Sequence, residues 1–107
     1  MKKIICFLFC TFLCVFTFAE SRNALLIANG KYVSFSSLKN PVPEAKELKN
    51  SLEKIGFEVT IIENASREQM MLGLSKFQKK LKVDGGIAFF HYGGHAVQVN
   101  GKNFLIP

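Results

Sequence analysis

Cysteine is the scarcest informative residue in this 107-residue sequence. The chain has three cysteines, and the last of them is Cys14. A disulfide scaffold is therefore excluded for everything that follows residue 14. The same shortage means that the later part of the chain has no thiol of its own with which to carry out chemistry.

The excess of positive over negative charge is modest, and the sequence contains few glycines and prolines. The formal net charge is +6, and Lys2 and Lys3 supply two of the positive charges. The other basic residues are scattered among acidic ones, unlike the clustered basic surface of a nucleic-acid-binding protein. With 8 glycines and 3 prolines, the composition excludes collagen and low-complexity disorder. We therefore expect a globular domain that does not bind nucleic acid.

The longest apolar run lies at the N-terminus and is short. It covers residues 4–18, directly after two lysines, and Thr17 and Ala19 place small residues where signal peptidase reads its substrate. This pattern predicts a signal peptide over residues 1–19, a domain over residues 20–107, and a secreted or periplasmic location.

Two alternatives to a cleaved signal peptide are less favoured. An uncleaved membrane anchor would need roughly 20 apolar residues, and the run falls short of that length, so we expect no stable membrane span. A lipid-modified cysteine is disfavoured because neither Cys10 nor Cys14 follows the residues that lipid-attaching enzymes read. The three cysteines are more simply small hydrophobic residues.

Short apolar runs alternate with helical periodicity along residues 20–107. Continuous apolar or β-prone runs predict three buried strands, and Asn100-Gly101 predicts the turn of a β-hairpin. Apolar residues spaced by three and four predict two helices. The strands are expected at residues 24–28, 57–62 and 87–90. The first helix is expected to start at Pro41 or Pro43 and to end at a left-handed cap at Gly56. The second helix is expected to start at the capping box Ser66-x-x-Gln69 and to carry the apolar stripe Met70, Leu74, Phe77 and Leu81.

This order of elements predicts an α/β fold. We expect a three-layer sandwich with a mostly parallel sheet, followed by a β-hairpin after the third strand. The stretch 31–40 is expected to be an exposed loop. A doubly wound sheet usually has five or six strands, so the predicted domain is incomplete.

The strongest candidate for a functional site is the segment 91–96, expected to follow the third strand. Ligands of open α/β sheets bind outside the carboxyl ends of the strands, and this segment would lie there. It contains His91, the glycine pair Gly93-Gly94, and His95. Glycines let the backbone approach a ligand closely, and histidine is the usual general base near neutral pH.

Five segments, in order and with compatible spacings, extend this pattern over residues 22–107. They are Arg22-x-Ala24-Leu25-Leu26-Ile27, Leu38-Lys39-Asn40-Pro41-Val42-Pro43-Glu44-Ala45, Leu52-x-x-x-Gly56-Phe57-x-Val59, Phe89-Phe90-x-Tyr92-Gly93-Gly94-His95, and Val97-Gln98-Val99-x-Gly101-x-Asn103-Phe104-Leu105-Ile106-Pro107. Together they resemble the large catalytic subunit of caspase-like cysteine peptidases. The most similar branch is that of the bacterial metacaspase and paracaspase relatives.

The resemblance implies roles for four residues. His95 matches the catalytic histidine, which promotes attack by a cysteine thiolate and protonates the leaving amine. Ala96, where the family usually has glycine, is implied as an oxyanion-hole donor together with Gly94. If that backbone needed a positive φ, alanine would cost about 1 kcal/mol. Glu44 matches an acidic position, usually Asp, that binds a basic side chain before the cleaved bond.

The nucleophile that the resemblance implies is missing. In this family the cysteine lies about 50 residues after the histidine, which from His95 is beyond Pro107. The implied activity is endopeptidase cleavage of a polypeptide substrate, with a preference for bonds after Arg or Lys, but the isolated chain is expected to be inactive. The catalytic cysteine would come from a downstream continuation or a separate chain.

Several other interpretations remain open. Glu44 is equally explained by the positive end of a helix dipole, and His91 is interpreted as structural because it falls within a strand. No metal site is expected from His91 and His95, and no cofactor is expected; calcium enters only by analogy with related metacaspases. The competing functions are an α/β-hydrolase, which lacks its G-x-S-x-G motif here, an exported pseudo-peptidase or peptide-binding module, and a decayed reading frame.

Overall fold

Residues 19–107, which the computed structural model describes, fold into a small parallel sheet, two helices and a hairpin. The elements are β1 (Arg22–Ala28), α1 (Pro41–Lys54), β2 (Glu58–Glu63), α2 (Arg67–Asp84), β3 (Ile87–Gly93), β4 (Ala96–Val99) and β5 (Lys102–Leu105). The sheet has the order β2-β1-β3 with all strands parallel, and β4 and β5 form a separate antiparallel pair. The predicted α/β fold is confirmed.

The central strand β1 holds the layers together. Its apolar side chains alternate between two clusters: Leu26 packs with Ala45 and Leu52 of α1, whereas Leu25 packs on the opposite face with Met70 of α2. Each of these residues is at most 7% exposed. Because successive strand side chains point to opposite faces, a continuous apolar run lets one strand serve both layers.

The third strand differs from the prediction in burial and in length. It was expected to be buried, but Ile87 is 42% and Phe90 is 45% exposed. The reason is its position: β3 is an edge strand that pairs only with β1, and α2 packs against β1 and β2. The strand also continues to Gly93, which reduces the expected loop 91–96 to Gly94 and His95.

The helix ends agree with the predicted caps. At the start of α2 the Gln69 N–H donates to Ser66 Oγ at 3.2 Å, and the Ser66 N–H donates to Gln69 Oε1 at 2.9 Å, which completes the capping box. Gly56, after α1, has a φ of 87°. The predicted stripe on α2 is only partly correct, because Met70 is buried but Leu74 is 40% exposed.

The hairpin is also confirmed. Asn100 and Gly101 both have positive φ, 50° and 75°, as the tight turn preferred between twisted antiparallel strands requires. At the open end of the hairpin the Ile106 N–H donates to the His95 carbonyl at 2.9 Å. Within residues 19–107 no helix is long and apolar enough to cross a membrane. The predicted signal peptide lies almost entirely outside the described residues.

Two adjacent glycines between α2 and β3 give a test of this fold. Gly85 and Gly86 both have positive φ, 64° and 79°. A Cβ on Gly85 would meet no atom, but one on Gly86 would lie 2.8 Å from the carbonyl carbon of Ser21, whose oxygen accepts the Ile87 N–H. We expect Gly85→Ala to lower the free energy of unfolding by about 1–3 kcal/mol, from backbone strain alone, because a φ of 64° with a ψ of −150° is adopted readily only by glycine.

Gly86→Ala should cost more, because it also disrupts the hydrogen bond from the Ile87 N–H, at the start of β3, to the Ser21 carbonyl, just before β1. Urea denaturation followed by circular dichroism measures both variants. Equal losses for the two alanines would contradict the close approach of Gly86 to Ser21.

Candidate active site

The carboxyl ends of the three parallel strands meet at one edge of the sheet. The segment 29–40 follows β1, the segment 64–66 follows β2, and Gly94-His95 connects β3 to β4. Asn64 joins two of these segments, since its Oδ1 accepts hydrogen bonds from the N–H groups of Gly30 and Lys31 at 2.9 and 3.0 Å. The segments that were expected at the carboxyl edge of the sheet lie there.

The imidazole of His95 is oriented by a main-chain carbonyl. Its Nε2 lies 2.7 Å from the carbonyl oxygen of Ser36. A carbonyl oxygen can only accept a hydrogen bond, so Nε2 carries the proton in this contact. In the neutral ring the lone pair is then on Nδ1, and that nitrogen is the one able to take a proton from a nucleophile.

Two aromatic side chains pack against the same imidazole. The ring centroids of Tyr32 and His95 are 4.6 Å apart, and those of Phe35 and His95 are 5.5 Å apart. Neither residue was expected at the site, because the stretch 31–40 was predicted only as an exposed loop. The available signal was the presence of two aromatic residues in a loop otherwise rich in serine and lysine.

The main chain of His95 is fixed on both sides. Its N–H donates to Tyr32 Oη at 2.9 Å, and its carbonyl accepts from the Ile106 N–H at 2.9 Å and lies 2.8 Å from Tyr92 Oη. Tyr92 Oη is also 2.7 Å from the Ile106 carbonyl oxygen, so its single proton serves one of these two acceptors at a time. The histidine is thus held by two tyrosines and the end of the hairpin.

Tyr92 keeps its proton over an unusually wide pH range. Burial is the main cause that raises the pKa of its hydroxyl, and the hydrogen bond and charge of Tyr32 raise the pKa further. The hydrogen bonds to Ile106 and Asn29 act in the opposite direction but do not outweigh these effects. The hydroxyl beneath His95 therefore remains a hydrogen-bond donor well above neutral pH.

A cleft of about 590 Å³ lies beside His95. Its lining includes Glu44, in the first turn of α1, and the backbone of Gly93 and Gly94. The rest of the lining is the segment 37–41. The Glu44 side chain is exposed and makes no salt bridge within residues 19–107. The structure thus brings Glu44 and Gly94 to one cleft, next to His95.

The two expected oxyanion-hole residues flank His95. A Cβ on Gly94, which has a φ of 156°, would lie 2.5 Å from the hydroxyl oxygens of both Tyr32 and Tyr92, so only glycine fits. Ala96 is the first residue of β4 and does not have a positive φ, because Asn64 and Asn100 are the only non-glycine residues in 19–107 that do. The backbone penalty considered for alanine therefore does not arise.

His91 lies within β3, at a half-buried position paired with Leu26 of β1. This position is consistent with the structural role expected for it. Among the described residues, no group of three or more His, Cys, Asp or Glu side chains is arranged to hold a metal ion.

The tight fit of Gly94 predicts a strong effect of one added methyl group. We expect Gly94→Ala to push the two tyrosine hydroxyls apart and to loosen His95, so that the amide hydrogen of His95 exchanges at least tenfold faster. Gly93→Ala is the matched control, because a Cβ there would be 3.4 Å from its nearest neighbour, Pro41 Cβ. Unchanged exchange at His95 in Gly94→Ala would contradict the packing of the tyrosine pair.

The raised pKa of Tyr92 predicts a defined pH dependence. Because folding favours the neutral hydroxyl, its contribution to stability is complete below about pH 10 and is lost as the pH rises above the ordinary tyrosine value. The chain has two tyrosines, so Tyr32→Phe leaves Tyr92 as the only one. Absorbance titration should give that variant a Tyr92 pKa above the ordinary value, because of burial, but below the wild-type value, because Tyr32 no longer contributes. If the Tyr92 pKa in folded Tyr32→Phe equalled the ordinary tyrosine value, burial could not be the main cause of the shift.

A comparison with known proteins and protein families supports the architecture described above and identifies the family. No curated protein matches the sequence significantly. The sequence model described as the caspase domain matches residues 21–107, which include every element of the sheet, both helices and the segment around His95. The chain therefore belongs to the caspase-domain family.

Proposed function

We propose that this chain supplies the histidine of a Cys–His endopeptidase that cleaves polypeptides. The observation that carries the proposal is the contact between His95 Nε2 and the Ser36 carbonyl oxygen at 2.7 Å, which leaves Nδ1 as the basic nitrogen. The caspase-domain match over residues 21–107 supports a cysteine-peptidase function for the family. His95 lies at the carboxyl edge of the sheet, where catalytic groups of such folds gather.

The proposed reaction is acyl transfer through a thiolate. Nδ1 of His95 takes the proton of a cysteine thiol, the sulfur attacks the carbonyl carbon of the scissile bond, and the imidazolium returns the proton to the departing amine. Water then hydrolyses the acyl-enzyme. The N–H groups of Ala96 and Gly94, on either side of His95, are the proposed donors to the oxyanion. Tyr32 and Tyr92 hold the histidine backbone while the proton moves.

The nucleophile in this proposal comes from outside residues 1–107. The sequence has no cysteine after Cys14, and the three that it has lie in the proposed signal peptide. A continuation of the same chain or a second chain would bring the thiol to Nδ1. The open edge of β3, beyond which no strand is paired within the described residues, is where additional strands would join the sheet.

The proposed subtype is a relative of metacaspases and paracaspases that cleaves after Arg or Lys. Support comes from Glu44, whose carboxylate has no salt-bridge partner among the described residues and borders the cleft next to Gly94. A guanidinium or ammonium group in this cleft would pair with that carboxylate. The basic N-terminus and the apolar run 4–18 further support export from the cytoplasm.

A second candidate function is that of an exported peptide-binding module without catalysis. It is favoured by the exposed edge of β3, where Ile87 and Phe90 are 42% and 45% exposed and the strand could pair with an extended peptide. The two functions differ in one requirement, because only the peptidase needs a cysteine.

The coding DNA beyond codon 107 provides the decisive test. We expect chain 1–107 alone not to hydrolyse fluorogenic peptides, and the product of the extended reading frame to cleave them and to be blocked by iodoacetamide. His95→Ala should lower kcat/KM of that product by about 10³-fold, because the general base is lost. His91→Gln is the control, since this second histidine lies within β3 and has no proposed part in the chemistry. An extended product that folds but lacks a cysteine would contradict the peptidase and favour the binding module.

The basic preference is tested separately in the same active product. Glu44→Gln should lower kcat/KM for substrates with Arg or Lys before the cleaved bond by about tenfold, and Glu44→Asp should retain most of it. Glu47→Gln is the matched control, because Glu47 is an exposed glutamate of α1 outside the cleft. Faster cleavage after Asp than after Arg or Lys would refute the role of Glu44.

A further inference from the structure

An asparagine directly follows each of the strands β1 and β2. The last residue pair in the register of these strands is Ala28 with Glu63, so Asn29 and Asn64 occupy the next position on each chain. Each side chain accepts main-chain N–H groups from the segment that leaves the other strand: Asn29 from residue 65, and Asn64 from residues 30 and 31. The two asparagines therefore join the segments 29–40 and 64–66 at the base of the site.

The two asparagines differ in burial, and this difference separates what each can be tested for. Asn29 is 1% exposed, and its main-chain N–H donates to the Gly93 carbonyl at 2.8 Å, so a replacement there would disturb the sheet itself. Asn64 is exposed, and its φ of 48° lies in the left-handed region that asparagine, aspartate and glycine tolerate best. The hydrogen bonds of the Asn64 side chain can therefore be removed without opening a cavity in the core.

The loop that Asn64 holds is closed on itself. The Leu38 N–H donates to the Gly30 carbonyl at 2.8 Å, and a Cβ on Gly30 would lie 2.5 Å from the Leu38 carbonyl oxygen. Loops whose ends adjoin in this way are compact units that are often functional. Because Asn64 Oδ1 binds the N–H groups of Gly30 and Lys31, it fixes the direction in which the whole loop leaves the sheet.

The same loop carries two groups that hold His95. Tyr32, directly after the residues that Asn64 binds, accepts the His95 N–H at its Oη, and the Ser36 carbonyl oxygen lies 2.7 Å from His95 Nε2. A main-chain carbonyl is placed only by the conformation of its loop. A displacement of Ser36 by about 1 Å would lengthen its contact with the imidazole beyond hydrogen-bonding distance.

We propose that Asn64 is a positioning residue for His95. By accepting the N–H groups at the base of the loop, it keeps the Ser36 carbonyl on Nε2, and the proton held there leaves the lone pair on Nδ1. The consequence for catalysis rests on the proposed function, in which Nδ1 takes the proton of the thiol. Asn64 does not line the Glu44 cleft, so it acts through the loop and not on the substrate.

Three variants separate the hydrogen bonds of Asn64 from its backbone conformation. Asn64→Gly keeps the positive φ and removes the acceptor, whereas Asn64→Asp keeps both, because a carboxylate accepts the same N–H groups. Asn100→Gly is the matched control. Asn100 has nearly the same φ, 50°, but lies in the hairpin turn between β4 and β5.

The imidazole N–H proton of His95 reports the contact with Ser36 directly. In ¹⁵N-edited NMR of chain 1–107, we expect a slowly exchanging Nε2–H, whose exchange with water becomes about tenfold faster in Asn64→Gly. Asn64→Asp and Asn100→Gly should resemble the wild type. The amide of Leu26, buried in β1, is the internal reference for opening of the whole fold and should be unaffected.

Three results would overturn the positioning role. They are an unchanged exchange of the His95 Nε2–H in Asn64→Gly, a faster exchange that Asn64→Asp shares, and an acceleration of equal size at the Leu26 amide. A wild-type Nε2–H that exchanges too fast to be observed would contradict the contact with Ser36 and, with it, the proposal.

Activity distinguishes this proposal from the proposed function. In the extended, cysteine-containing product, Asn64→Gly should lower kcat by about tenfold, and Asn64→Asp should retain most of it. If the extended wild-type product is inactive, the peptidase is contradicted, while the positioning of His95 stands on the exchange measurement. An active product whose kcat is unchanged in Asn64→Gly, despite faster Nε2–H exchange, would overturn the part of Asn64 in the reaction.

Discussion

The burial of β1 on both faces and both edges is the constraint on which the rest of the structure depends. Leu25, Leu26 and Ile27 are at most 1% exposed, and each fully buried side chain of this size contributes about 1.5–3 kcal/mol relative to an exposed one. Because the strand is covered by α1 and α2 and paired with β2 and β3, these elements are positioned relative to it. The loop that leaves its carboxyl end therefore starts from a rigid point.

That rigid starting point explains how a loop of polar composition can orient a histidine. Asn29, which is 1% exposed, accepts the Ala65 N–H at 2.8 Å, and Asn64 accepts the N–H groups of Gly30 and Lys31. The start of the loop is thus fixed by two asparagines before it extends over the site. Ser36 can then present its carbonyl to His95 at a defined place, without needing any particular side chain there.

The tyrosine pair links the histidine to the hairpin. Tyr32 and Tyr92 contact the main chain of His95 and lie 3.3 and 2.7 Å from the carbonyl oxygen of Ile106, so the site and the end of the hairpin share one hydrogen-bond network. A neutral hydroxyl is required for this network, and burial of Tyr92 maintains it by raising the pKa. Polar networks of this kind are stable only when their members are satisfied together. A movement of the hairpin would therefore be transmitted to the imidazole, and so would a displacement of the loop.

The local pattern of the sequence was sufficient to determine most of the elements. Ser66 with Gln69 predicted the start of α2, and Asn100-Gly101 predicted the hairpin turn, because caps and tight turns depend on a few adjacent residues. The position of His95 at the carboxyl edge followed from the order of strands and helices. The exposure of β3 and of Leu74 could not be obtained in this way, since burial depends on which elements cover a surface and not on its own apolar pattern.

Only the tertiary structure placed Tyr32, Phe35 and the Ser36 carbonyl on His95. These groups are separated from the histidine by about sixty residues of chain, and a main-chain carbonyl has no signature in sequence at all. The sequence by itself determined the fold class and the candidate histidine, because both depend on local pattern and on the order of elements. The tautomer of that histidine and the cleft next to it were decided by the long-range packing of the loop that follows β1.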